Sequence, residues 1–234
     1  MKGEIILNNI YNFICNNKQY LEDFITRSTY NSNGIEGSTL TYAETYAILY
    51  NDNSFKIQGK EPREIYEAIN HKKALEYMLE VLNKEHEFND IFIKKLNMII
   101  NKDIKDTEGY RKIRVFIRGT DHIPPEASQV SNLMYYFIDN YNNYPNDSLF
   151  NKIAKFHIEF EKIHPFEDGN GRTGRLIINY ELIKNNIAPI VIEKEDRVKY
   201  FELLRNEDID GLANWYKELS SRECNRMKEF GFLN

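Results

Sequence analysis

The sequence predicts an all-α protein, a helical bundle carrying one small β-hairpin flap. Three observations predict it. Apolar residues recur at i, i+3, i+4 and i+7 along most of the chain, only one stretch alternates with a period of two, and the 6 prolines and 11 glycines among 234 residues never gather into a linker. With no internal repeat or low-complexity tract, one domain is expected over residues 1–234: an N-terminal region to about residue 55, a core over about 60–215 and a C-terminal helix over 216–234.

The elements follow in order. EIILNNIYNFICNNKQYLEDFI (4–25) reads as the first helix, and TYAETYAILYND (41–52) as the next, with Thr41 and Glu44 spaced as a capping box. Ile65, Ile69, Leu75, Met78, Leu79 and Leu82 form one core stripe; NDIFIKKLNMIINK (89–102) carries another, and Val130, Leu133, Met134, Phe137, Ile138 and Tyr141 a third. Helices are then expected over 147–163, with Asp147 or Ser148 as N-cap, and over 175–186, 195–206 and 210–230. The exception is RKIRVFIRGTDHIPP (111–125), where Ile113, Val115 and Ile117 alternate with Arg114, Phe116 and Arg118 ahead of a glycine and paired prolines. That pattern is the hairpin or flap.

Composition narrows the function classes. Lys and Arg total 31 against 36 Asp and Glu, so a net charge of −5 offers no global field for a polyanion, and direct nucleic-acid binding is not expected. No window approaches a membrane span, and the N-terminus lacks the apolar core of a signal peptide. Cys15 and Cys224 stand far apart without metal-type spacing, which suits the reducing cytoplasm.

HPFEDGNGRTGR (164–175) holds Gly169, Gly171 and Gly174 at G-x-G-x-x-G spacing, a pattern shared with dinucleotide-binding turns. Such a turn must follow a buried strand. Here Leu149, Phe150, Ile153, Ala154, His157 and Ile158 precede it at helical steps, so that reading fails. The residue types fit attack on a nucleotide phosphate instead. His164 is a candidate general base, Asp168 a hard oxygen ligand for Mg²⁺ held jointly with phosphates, and Phe166 a loop anchor. Asn170 and the peptide N–H groups at Gly169 and Gly171 can approach phosphate oxygens where a helix begins, while Arg172 and Arg175 share that helix's face.

This run matches H-P-F-x-D-G-N-G-R-x-x-R throughout, and the chain resembles the Fic family. EGYRKIRVFIRGTDHIPP (108–125) resembles that family's G-x-Y-R segment and substrate flap, FHIEFEKIHPF (156–166) its approach helix, and VKYFELL (198–204) a segment beside its adenine pocket; the likeness spans roughly 30–215. It implies the Fic fold and transfer of AMP from ATP to a Tyr, Thr or Ser hydroxyl of a target protein. By that resemblance His164 deprotonates the hydroxyl, Asp168 holds Mg²⁺, and Gly169, Asn170 and Gly171 form the anion cradle. Arg172 meets the β-phosphate, Arg175 the γ-phosphate, and Thr173 and Gly174 complete the nucleotide-binding run. Tyr200 and Asn206 would neighbour adenine. Val115, Phe116, Ile117 and Arg118 would hold the target as an added strand. A homodimer is a common family assembly.

SNGIEG (32–37) resembles the family's inhibitory motif, [S/T]-x-x-x-E-[G/N]. Ser32 and Glu36 share a helical face, Gly37 is a natural C-cap, and Gly34 weakens what reads as a short, displaceable helix near 30–37. Glu36 would pair with Arg175 and so restrain the reaction. In part of that subgroup the same glutamate aligns water to remove AMP, and the resemblance would imply such a second role for Glu36.

Several residues read as structural: His157 as a core histidine, Arg111 as a flap anchor and Trp215 as packing, while His71, His86 and His122 lack ligand spacing. Two other functions stay open. One is a Fic-type phosphotransferase, whose members carry lysine where this chain has Gly171, and the other is a non-catalytic nucleotide-binding interaction module.

Overall fold

Asn17 divides the first expected helix. Its side chain accepts from the Tyr20 N–H at 3.0 Å and donates to the Phe230 carbonyl at 2.8 Å, so α1 (Asn9–Asn16) ends and α2 (Lys18–Ile35) restarts there. The computed structural model describes residues 9–52, 57–84, 88–105, 108–117, 122–145 and 148–233. Among them follow α3 (Tyr42–Tyr50), α4 (Pro62–Asn83), α5 (Asp90–Ile100), α6 (Ala127–Asn143), α7 (Leu149–Ile163), α8 (Asn170–Lys184), α9 (Arg197–Arg205) and α10 (Ile209–Glu229), with a 3₁₀ turn at Lys194–Asp196. Thr41 and Glu44 cap α3 reciprocally and Ser148 caps α7, while Asp147 lies outside the described residues. No helix among the described residues is long and apolar enough to cross a membrane.

α8 is buried on almost every face because it runs between two cores. On one side Phe88, Phe92, Phe137, Tyr141, Phe156 and Tyr180 interlock with ring centroids 4.1–6.3 Å apart. On the other, Ile153, Ile178, Leu182, Trp215 and Tyr216 join α7, α8 and α10. The polar residues that α8 carries into this interior must find partners within the protein. They define the site.

Two expectations need correction. The flap forms no strand among the described residues: 112–117 run as irregular chain, with Ile113 and Phe116 exposed, and Arg118 lies outside the described residues. An isolated hairpin is marginal in water, and the described residues supply no third strand to pair with it. The segment is fixed at its base by Arg111, which is buried and donates to the carbonyls of Ile113, Pro125 and His164.

The expected short helix near 30–37 is the last turn of the 18-residue α2. Gly37, at φ +105°, closes it as a Schellman motif, with Ser38 N–H donating to Asn33 O and Gly37 N–H to Gly34 O, both at 3.0 Å. Gly34 also has a packing role. A Cβ there would lie 2.8 Å from Lys194 Cδ, so the glycine admits the 3₁₀ turn, which holds α2 through Lys194 N–H to Asn31 Oδ1 (3.1 Å) and Arg197 Nε to Ile35 O (2.7 Å).

Candidate active site

Residues 164–169 join the C-terminus of α7 to the N-terminus of α8, and backbone constraints give the loop its shape. His164 caps α7 in the left-handed region at φ 49°, a conformation a non-glycine residue holds only when its surroundings fix it. Arg111 Nε grips the His164 carbonyl at 2.8 Å, and the Arg111 N–H donates to Pro165 O at 2.9 Å. Asn170 closes the loop from the other side: its oxygen accepts from Phe166 N–H and its amide donates to Phe166 O, both at 2.9 Å. Phe166 is buried between Tyr110 and Phe160, as an anchor should be.

α5 supplies a support that the sequence reading missed. Asn97 and Asn101 both donate to the Asp168 carbonyl, at 2.9 and 3.1 Å, and Asn97 also donates to Thr173 Oγ1 at 3.1 Å. Gly169, at φ +76°, is needed for this contact, since a Cβ would lie 3.0–3.1 Å from Ile100 and both asparagines. The signal was present: Asn97 occupies a core position in the stripe Phe92, Ile93, Leu96, Ile100.

These contacts separate the expected nucleotide-binding residues. Asn170 has both amide atoms engaged by the loop, Thr173 is fully buried against Asn97, and Gly174 packs on α7, where a Cβ would meet Glu161 and His157 at 2.7–2.8 Å. Tyr200 is 1% exposed and its hydroxyl sits 2.6 Å from His157 Nε2, so it is an interior residue; Phe201 beside it is only partly buried. Asn206 is the exposed C-cap of α9. His157, as expected, is a buried structural histidine.

What remains faces one place. The Glu36 carboxylate reaches from the end of α2 to Arg175 Nη2 at 2.7 Å, and Ser32 accepts from Arg175 through its hydroxyl (3.0 Å) and its carbonyl (2.9 Å). That carboxylate also lies over Gly171, 2.4 Å from where a Cβ would stand, so an anion already sits at the N-terminus of α8. One turn back, Arg172 donates to Asp168 Oδ1 at 2.9 Å and lies 3.2 Å from Glu67 Oε1. Arg63 closes a square by binding Asp168 Oδ2 at 2.5 Å and Glu67 Oε1 at 2.9 Å. Arg63 and Glu67, one turn apart on α4, were also missed; their i, i+4 opposite charges are a weak signal by themselves.

Electrostatics follow from burial. Desolvation pulls the His164 imidazole down to about 4, against a Glu161 backbone acceptor that favours its charged form, so the ring is neutral at pH 7. Burial would raise the Asp168 carboxyl, but Arg172 and Arg63 outweigh it and hold the group below the usual carboxylate range. A neutral imidazole, an ionised carboxylate and two arginines around one helix N-terminus can accept a proton, hold a cation and bind a polyphosphate.

The Fic/DOC family model matches residues 87–182, which contain this loop, all of α7 and all but the last two residues of α8. Protein adenylyltransferase Fic of Drosophila willistoni is 34% identical over 180 residues, 75% of this chain and 35% of that protein. The Aedes aegypti protein of the same name is 32% identical over 182 residues, again 75% of this chain and 36% of its own length. The chain thus spans about a third of the length of these relatives. Among solved structures, a Fic domain containing signaling protein from Bacteroides thetaiotaomicron superposes with a TM-score of 0.80 at 24% identity, covering 96% of this chain and 97% of that one. Fic-1 from C. elegans gives 0.76 at 23% identity, covering 96% and 68%. Both carry the same fold.

Proposed function

Because the chain carries a Fic/DOC family domain, we propose that it is a protein adenylyltransferase. It transfers AMP from ATP to a hydroxyl of a target protein in the cytoplasm and is restrained by its own Glu36. One observation carries this reading: the Glu36 carboxylate rests on Gly171 and Arg175 at the start of α8, where an anion is favoured and where a terminal phosphate would compete for the same arginine. Arg175 Nη1 and Arg172 Nε, both buried without a hydrogen-bond partner, are the donors a bound polyphosphate would satisfy.

His164 takes the proton of the attacking hydroxyl, and its suppressed basicity keeps it unprotonated until that moment. The Arg111 clamp on the His164 carbonyl fixes the ring's position, and the N–H groups at the start of α8 stabilise the charge that develops on phosphorus-bound oxygens. Asp168 fits a hard divalent cation: it is ionised and a quarter exposed, and with no cluster of three or more His, Cys, Asp or Glu ligands among the described residues it would share the ion with phosphates. Such an ion supplies charge neutralisation between the phosphates. Exposed Ile113 and Phe116 would receive the target beside His164.

Release requires little movement. The end of α2 is pinned to the 3₁₀ turn, whereas the Glu36 side chain is 35% exposed and can rotate outward alone. Intact-mass spectrometry after incubation with ATP and Mg²⁺ tests the proposal. Glu36→Gly should raise self-modification or target modification by one adenylyl group, and His164→Ala should abolish it. A gain of one phosphate instead would make the chain a phosphotransferase; binding of ATP with no mass change would make it an interaction module.

A further inference from the structure

Arg175 has a second acid beside it. Glu161 lies on the last turn of α7, three residues before His164, and its Oε1 is fully buried with no hydrogen-bond partner. Gly174 makes room for it, since a Cβ on the neighbouring α8 would stand 2.7 Å from that oxygen. His157 Nε2 is 4.0 Å away but already engaged with the Tyr200 hydroxyl at 2.6 Å, and burial holds that imidazole neutral, so it is not the counter-ion. The titratable and charged groups facing Glu161 are His157 from its own helix, Arg175 from α8, Tyr200 from α9, Tyr216 from α10 and Glu36 from the end of α2. Arg175 alone among them is a cation, and its Nη1 is also buried and unpaired.

We propose that Glu161 is a positioning residue for Arg175, holding that guanidinium for the terminal phosphate once Glu36 has swung away. The inference rests on the adenylyl-transfer reading. While Glu36 occupies Arg175, burial and the repulsion of a second carboxylate favour protonated Glu161, and its carboxyl is pushed up to about 8 with Arg175 opposing the shift. Withdrawal of Glu36 removes the repulsion and frees the arginine. The Glu161 proton then leaves to solvent and the carboxylate pairs with Arg175, so a buried arginine is never left without a counter-charge.

Isothermal titration of ATP and ADP into the Glu36→Gly protein, with and without Glu161→Gln, tests this. Glu161→Gln should weaken ATP about fivefold or more while leaving ADP, which lacks the terminal phosphate, within about twofold. In the Glu161 protein ATP affinity should rise as pH increases through the carboxyl's titration, and in the Glu161→Gln protein that dependence should vanish. Glu161→Asp should restore part of both effects and guards against a folding defect in the amide variant. Unchanged or tighter ATP binding, or equal losses for ATP and ADP, would overturn the role of Glu161. Failure of the Glu36→Gly protein to transfer AMP would count against the enzymatic reading and leave the ATP/ADP comparison intact.

Discussion

Two arginines three residues apart on α8 are held in opposite ways. Arg175 makes one ion pair, with Glu36, beside its hydrogen bonds to Ser32 and its contact with the ring of Tyr200, and it is 7% exposed at the side chain. Arg172 lies in a square in which Asp168 and Glu67 each touch both Arg172 and Arg63, and Arg63 is 55% exposed. A square of two cations and two anions can lose one member and still pair most of what remains. The one ion pair on Arg175 can instead be exchanged whole for a competing phosphate, which is why one corner suits a switch and the other suits a cradle.

The same change made at both corners should separate the switch from the cradle. Glu36→Gln should raise the initial rate of AMP transfer about tenfold or more, because a neutral amide competes poorly with a phosphate for Arg175. Glu67→Gln should change that rate about threefold or less, since Arg172 keeps Asp168. Labelled-ATP incorporation measures both. Comparable effects would mean that the square, too, works as a switch.

Acidity should separate the corners by the pH at which each responds. Around Arg175, burial holds His157 at about 3 and, with help from Arg175 and Arg172, His71 at about 3, against 6.5 when unfolded. The unfolded chain therefore binds more protons between these values, and stability falls as pH drops below 6.5. Glu161 has the opposite sign: its folded value of about 8 against 4.5 gives stability that is present at low pH and lost as pH rises through 8. Asp168, held below its ordinary 3.8, stabilises above that value and loses its contribution only as pH falls below it. Thermal melting should accordingly peak near pH 6.5, with the alkaline slope flattened by Glu161→Gln. A plateau from pH 8 to 4 would remove the proposed asymmetry between the corners.

Much of this site was legible because its chemistry is contiguous. His164 to Arg175 forms one string, and Ser32 and Glu36 share a helical face by spacing alone, so both could be read without coordinates. The helices were legible for a similar reason, since each carries its own apolar stripe. What could not be read depended on packing between elements. Nothing near Asn170 says that its amide closes the loop on Phe166, and nothing in the glycine spacing says that Gly174 packs against His157 and Glu161. Tyr200 and Phe201 are adjacent in sequence, and only the packing of α9 decides which ring turns inward. The flap alternates like a strand, but alternation cannot supply a pairing partner.

The smallest effect should come from the most exposed member of the square, and it tests whether the cradle is open. Arg63 Nη2 occupies Asp168 Oδ2, so a divalent cation arriving at that oxygen must displace a guanidinium. Half-exposed ion pairs of this kind are worth at most about 1 kcal/mol. Arg63→Gln should therefore tighten Mn²⁺ binding, followed by electron paramagnetic resonance, only about two- to fivefold. Lys105→Gln removes a charge that pairs with Glu167, not with Asp168, and should do less. Equal gains from both variants would mean that only overall charge matters. No gain from Arg63→Gln, with binding still abolished by Asp168→Ala, would mean that the cation reaches Asp168 without disturbing the square.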